Sequence, residues 1–296
     1  MDRPEGIIDF TPDRELFPFE SRWFESGVGP VHYVDEGEGR SLLLLHGNPD
    51  WSFLYRKFIA ALKDTFRCVA PDYPGFGLSV HPDGYGYTAA EHTAVITELV
   101  DELALEDMVI VGADWGGPIG IELATRNPDR VHGFVMGNTW CWPVASPAQR
   151  EFSQMMSSPE RQREILEENF FVTTKMKGQL QAELSEREFE HYTAVVPTPE
   201  SREGIAVFPR EIIDAGPWLT EIVERVPSTV AEKPIVLTFG REDPSLGAPE
   251  VIERWQELFT NSTFVDLPGA SHYVQEDAPD AMIAAIRDAF AGARSK

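Results

Sequence analysis

The ten residues Val109-Ile110-Val111-Gly112-Ala113-Asp114-Trp115-Gly116-Gly117-Pro118 leave the backbone few courses. A short apolar run stops at Gly-x-Asp-x-Gly-Gly and passes into a helix-compatible segment, 118–127, which predicts a buried strand, a sharp turn and a helix. Glycines two residues before and two after Asp114 remove side chains that would collide across so tight a turn. Pro118 suits a first helical turn, where a missing N–H costs nothing. The spacing Gly-x-nucleophile-x-Gly is that of a nucleophile elbow, here presenting a carboxylate. A carboxylate needs no base to become nucleophilic, and the positive end of the following helix favours its charge. Such a group attacks carbon, displaces a leaving group and leaves an ester on the protein. The competing reading is a plain strand–turn–helix joint with a capping aspartate.

Strand-like and helix-like segments alternate through most of the chain. Residues 21–24 and 31–35 read as short strands around the hairpin signal Gly27-Val28-Gly29-Pro30. The continuous apolar run 41–45 is what a strand buried on both faces requires, and it ends in His46-Gly47-Asn48-Pro49-Asp50-Trp51. A helix to residue 63, a strand at 68–70, a helix at 89–103 and the elbow follow; a strand at 131–136 then ends at Asn138. From 141 to 217 the alternation stops. That stretch is helical and loop-like, with clustered aromatics that include Trp142, Phe152, Phe170, Phe171, Phe189 and Tyr192. Alternation resumes with a strand at 235–239, a helix at 249–259, a strand at 263–266 and a last helix at 278–291. The pattern predicts an α/β architecture, a mostly parallel doubly wound sheet with helices on both faces. Residues 1–140 and 218–296 form its core, and 141–217 an inserted helical cap.

At 296 residues and 42% hydrophobic content the chain can bury one large core. No apolar run approaches the roughly 20 residues of a membrane span, and the charged opening Met1-Asp2-Arg3 lacks the apolar region of a signal peptide. Cys68 and Cys141 have no metal-ligand spacing, so no metal is expected and they read as reduced thiols of a cytoplasmic protein. The 49 acidic residues against 25 basic give a net charge of −24, which repels nucleic acid and anionic membranes. Among the bases only Lys57, Lys63, Lys175, Lys177, Lys233 and Lys296 are lysine, a scarcity that leans toward a surface suited to high salt. Self-association into a homo-oligomer stays open.

An ester on Asp114 is useless unless water removes it, which calls for a general base. His272, in Leu267-Pro268-Gly269-Ala270-Ser271-His272, lies after the last core strand and before the final helix, completing the chain order nucleophile, acid, histidine. His46 is expected to hydrogen-bond its loop, and His191 to serve surface or packing. The histidine needs an anion to fix its tautomer and stabilise its charged form. Asp243, directly after the strand 235–239, stands at the expected place, with Glu242 as its neighbour and rival. The other acid position, 138, holds an uncharged asparagine, which favours Asp243. Asn48 and Trp115 are placed to offer backbone N–H groups to an oxyanion, and their side-chain amide and indole are neutral donors that could converge on a halide-sized anion.

With these residues assembled, the sequence resembles the haloalkane dehalogenases of the α/β-hydrolase fold. The familiar segments are His46-Gly47-Asn48-Pro49 with Trp51-Ser52-Phe53-Leu54-Tyr55-Arg56, Asp114-Trp115-Gly116-Gly117, Asn138-Thr139-Trp140, Asn169-Phe170-Phe171 and His272-Tyr273-Val274-Gln275-Glu276-Asp277-Ala278-Pro279. The resemblance implies SN2 attack on a carbon–halogen bond, hydrolysis of the alkyl ester, and release of alcohol, halide and a proton without cofactor or metal. Carried over by position, Asp114 is the nucleophile, His272 the base, Asp243 the acid, and Asn48 with Trp115 the halide donors. This pairing resembles the family's third subfamily, and the partners it implies are a small halogenated substrate and a halide ion. Ala113 departs from the polar residue usual before the nucleophile. Epoxide hydrolases share an Asp–His–Asp set but use two lid tyrosines, whereas 141–217 contains only Tyr192. A non-catalytic ligand receptor on the same fold is a more distant alternative, and a serine esterase is excluded because no serine occupies the elbow.

Overall fold

The computed structural model describes residues 3–292. Its strands among the described residues are β1 (Arg22–Ser26), β2 (Gly29–Glu36), β3 (Arg40–Leu45), β4 (Phe66–Pro71), β5 (Met108–Asp114), β6 (Val131–Thr139), β7 (Ile235–Gly240) and β8 (Ser262–Leu267). They form one sheet in the order β1-β2-β4-β3-β5-β6-β7-β8. Only β2 runs against its neighbours; every other pairing is parallel. The sheet is therefore eight-stranded and mostly parallel, as the alternation predicts. Ser26 stands opposite Gly29, so Gly27 and Val28 make the tight hairpin turn.

Burial follows position in the sheet. All six residues of β3 and of β7 are buried, because parallel strands packed between helix layers have no solvent face. The edge strand β8 is mostly exposed, and its Phe264 is one of two large apolar side chains exposed at the surface among the described residues. Helices α1 (Arg56–Leu62), α2 (Ala89–Glu102) and α3 (Gly116–Arg126) fill the first half. Helix α2 starts at a capping box, with Thr88 and Glu91 each satisfying the other's backbone N–H.

Between β6 and β7 the chain makes only helices and loops: α4 (Pro147–Met156), α5 (Pro159–Glu168), a π-helical segment (Phe171–Met176), α6 (Glu186–Thr193), a 3₁₀ turn (Glu200–Arg202), α7 (Glu203–Asp214) and α8 (Gly216–Thr229). Helices α9 (Pro249–Leu258), α10 (Val274–Asp277) and α11 (Pro279–Phe290) complete the fold. The boundaries differ from the sequence reading by a few residues where tertiary pairing intervenes. Strand β6 runs on from 136 to Thr139 because Thr139 pairs with Asp114 across a register shift, and α3 begins at Gly116 rather than Pro118. Among the described residues no helix is long and apolar enough to cross a membrane.

Candidate active site

The loops that leave the C-terminal ends of β3, β5, β7 and β8 converge, as ligand sites of open α/β sheets do. Asp114 closes β5 with φ +48°, a left-handed conformation that few aspartates adopt. The turn is tight enough to demand its glycines. A Cβ on Gly112 would lie 2.6 Å from the Gly116 carbonyl oxygen, and one on Gly116 would lie 2.1 Å from that of Leu45. The Thr139 hydroxyl donates to the Asp114 carbonyl at 2.6 Å and ties the elbow to β6.

The two carboxylate oxygens of Asp114 have different surroundings. Oδ1 accepts the Asn48 backbone N–H at 2.9 Å, while Oδ2 lies 3.5 Å from His272 Nε2. On its other side His272 Nδ1 meets Asp243 Oδ2 at 2.9 Å. Asp243 is buried, and its Oδ1 accepts the backbone N–H groups of Ser245 (2.9 Å) and Leu246 (3.1 Å). Glu242, one residue earlier, is exposed. Desolvation works to raise the Asp243 pKa, but its bonds to His272 and to the two backbone N–H groups win and hold it below the ordinary aspartate range. Burial would likewise strip the proton from His272. The flanking carboxylates of Asp114 and Asp243 outweigh it, and its pKa is pushed up to about 10.

A cavity of about 510 Å³ opens over this group, lined among others by Trp115, Trp140, Phe152, Phe171 and Phe208. Trp115 stacks on Phe208 (5.1 Å, 20°) and meets Trp140 edge-on. No hydrogen bond engages the Trp115 indole N–H among the described residues. The Asn48 side chain also lines the cavity and donates one amide proton to the Ile205 carbonyl at 3.2 Å, which leaves its second amide proton unassigned. The structure thus brings Asp114, His272, Asp243, Asn48 and Trp115 into one site, although they are spread over most of the chain.

The α/β-hydrolase fold model matches residues 40–279. Haloalkane dehalogenase 2 of Mycobacterium tuberculosis is 49% identical over 283 residues, covering 96% of this chain and 99% of the relative. The chain belongs to the haloalkane dehalogenases. The solved structure of haloalkane dehalogenase DbeA from Bradyrhizobium elkani superposes with a TM-score of 0.80 at 27% identity, over 91% of this chain and 100% of that one. A cis-3-alkyl-4-alkyloxetan-2-one decarboxylase of Shewanella oneidensis is also similar, at 28% identity over 92% of this chain and 88% of its own.

Other residues of this dehalogenase were not legible as site residues. Asn138, read only as a vacant acid position, donates to Asp243 Oδ2 at 3.2 Å and to the Gly240 carbonyl at 3.1 Å, so it fixes the Asp243 carboxylate against the end of β7. Glu276 is buried on α10 and accepts from Arg56, from Lys57 at 2.8 Å and from the Tyr192 hydroxyl at 2.6 Å. Arg56 reaches Glu188 of α6 at 2.8 Å as well, which ties the helical insert to α1 and α10. His46 holds its loop through the Gly47 carbonyl (2.8 Å) and the Tyr73 N–H (3.2 Å), and burial lowers its pKa to about 4. His191 is a packing residue and not a surface one, stacked 4.3 Å from Phe53 and accepting the Asp13 N–H.

Proposed function

We propose that this dehalogenase cleaves carbon–halogen bonds through an alkyl ester on Asp114, with His272 and Asp243 as base and acid and with Asn48 and Trp115 as halide donors. The observation that carries the reading is the division of labour at the carboxylate of a cavity-lining residue: one oxygen is held by a backbone N–H while the other is turned to the histidine. Oδ2 attacks carbon, the carbon–halogen bond breaks with its electron pair leaving on the halide, and the Trp115 indole and Asn48 amide stabilise that charge.

Ester formation also changes His272. In the free enzyme the imidazole is held charged by two carboxylates. Alkylation turns Asp114 into a neutral ester, so one of those partners disappears and the imidazole can release its proton and act as base. Water then gives a proton to Nε2 and attacks the ester carbon. The oxyanion develops on Oδ1, where the Asn48 N–H already waits. Collapse returns the carboxylate and frees the alcohol, for a net consumption of haloalkane and water and release of alcohol, halide and a proton.

Epoxide hydrolysis of the kind considered above would need cap tyrosine hydroxyls at the cavity. The hydroxyl of Tyr192 donates to Glu276, and Tyr192 does not line the cavity. We read residues 141–217 as the cap, and the buried free thiols of Cys68 and Cys141 fit a reducing, cytoplasmic compartment. Purified enzyme supplied separately with 1-bromobutane, 1-iodobutane and styrene oxide tests the function. Equal amounts of halide, alcohol and acid are expected from the first two with chelator present; turnover of the epoxide alone would overturn the reading.

A further inference from the structure

We propose that Lys175 makes this site selective for halogenated chains that end in a carboxylate. The inference rests on the dehalogenase reading and adds a substrate class to it. Lys175 sits in the π-helical segment Phe171–Met176 and lines the same cavity as Asp114 and His272. It is the one lysine or arginine among the lining residues. Its ammonium lies over the Phe152 ring at 4.8 Å and has no ion pair or hydrogen bond among the described residues.

The surroundings make that unusual. The chain carries 49 acidic residues against 25 basic ones, yet Lys175 has gained no carboxylate partner. Glu250 also lines the cavity but is exposed and forms no ion pair with it. Burial lowers the Lys175 pKa below the ordinary lysine value, and the charge of Asp243 opposes that fall, so the ammonium is partly desolvated and feels the Asp243 carboxylate. A carboxylate seated against it would supply the missing counter-ion and a charge-assisted hydrogen bond.

The neighbouring polar groups do not supply this. Gln149 donates to the Ser245 hydroxyl at 3.1 Å, so those two lining side chains are engaged with each other. The end of the cavity at Asp114 is aromatic and suits an alkyl chain, with Trp115, Phe208 and Trp140 around the nucleophile. A carboxylate approaching a protein of net charge −24 is repelled at long range, so its selective use requires a local cation, and the cavity wall provides one.

The test compares bromide release by the full-length enzyme from 6-bromohexanoate, methyl 6-bromohexanoate and 1-bromohexane, together with shorter and longer ω-bromoalkanoates. The methyl ester keeps shape and acceptor atoms while removing the charge. At the matching chain length the acid is expected to exceed its ester in kcat/KM by about tenfold or more, through KM. Lys175→Met removes that ratio and Lys175→Arg keeps it; Lys175→Gln replaces the methionine variant if that one does not fold. The proposal is overturned if the acid is no better than its ester at every length, or if the ratio survives in Lys175→Met. Bromide release from 1-bromohexane without an acid preference sinks the role of Lys175 alone. No bromide from any bromoalkane sinks the dehalogenase reading beneath it.

Discussion

The Asn48 side-chain amide donates to the carbonyl of Ile205 at 3.2 Å, tying the proposed halide site to helix α7. That carbonyl is free for a specific reason. Four residues further along α7 stands Pro209, which has no N–H to close the helical bond back to Ile205. An interior proline costs a helix about 3 kcal/mol, and here the vacated acceptor holds in place the amide of the proposed halide donor.

Pro209→Ala therefore restores an N–H that competes for the Ile205 carbonyl. Stability in chemical denaturation should rise by about 1–2 kcal/mol, the helical gain less the extra unfolded-state freedom. Dehalogenation should fall by about tenfold, part of the roughly hundredfold or larger loss expected for Asn48→Ala or Trp115→Phe, whose donors are each worth about 2.7–4 kcal/mol. Unchanged halide release in Pro209→Ala would show that the amide is oriented by something else.

Covalent trapping separates Asp114 from His272. Attack by Asp114 needs no histidine, so His272→Phe should release about one halide per site and stop, leaving an alkyl adduct on Asp114 in intact-mass spectra. Asp114→Ala should give neither burst nor adduct. Asp243→Asn should form the ester and hydrolyse it slowly, because the imidazole loses its orienting anion. A folded His272→Phe that binds substrate without a burst would favour direct activation of water.

The charge on His272 should depend on that of Asp114. Titration of the imidazole by NMR should place it near 10 in the free enzyme and lower in Asp114→Asn, whose neutral amide mimics the ester. The linked effect on stability has a definite sign. The raised His272 value contributes stability that is full below about pH 6.5 and lost as pH climbs through about 10. The lowered Asp243 value contributes stability present above about pH 4 and lost in acid. Denaturation at pH 6 and pH 9.5 should show a weaker fold at the higher pH, with a smaller difference in Asp114→Asn. Equal pH dependence in both proteins would break the proposed link.

Salt should stabilise the fold. A net charge of −24 makes the folded chain repel itself, and added ions screen that repulsion. The melting temperature is expected to rise between about 0.1 M and about 2 M sodium chloride. A flat response would leave the acidic composition without this explanation.

What the sequence alone determined is what local sterics and local periodicity control. The elbow was legible because Gly112, Asp114 and Gly116 are neighbours in the chain, and the clashes that demand glycine arise within that turn and with the adjoining β3. The buried strands were legible because parallel strands covered on both faces must be continuously apolar. Beyond that range the sequence narrowed the choices without making them. Asp243 and Glu242 are adjacent carboxylates, and only the course of the chain after β7 turns the first inward to His272 and leaves the second in solvent. The helper residues were out of reach altogether: Asn138 on Asp243, the Ile205 carbonyl on Asn48, and Glu276 gathering Arg56, Lys57 and Tyr192. Each is a hydrogen bond between groups far apart in sequence. Such a bond imposes no spacing or periodicity on the chain, and it exists only once packing has brought its two ends together.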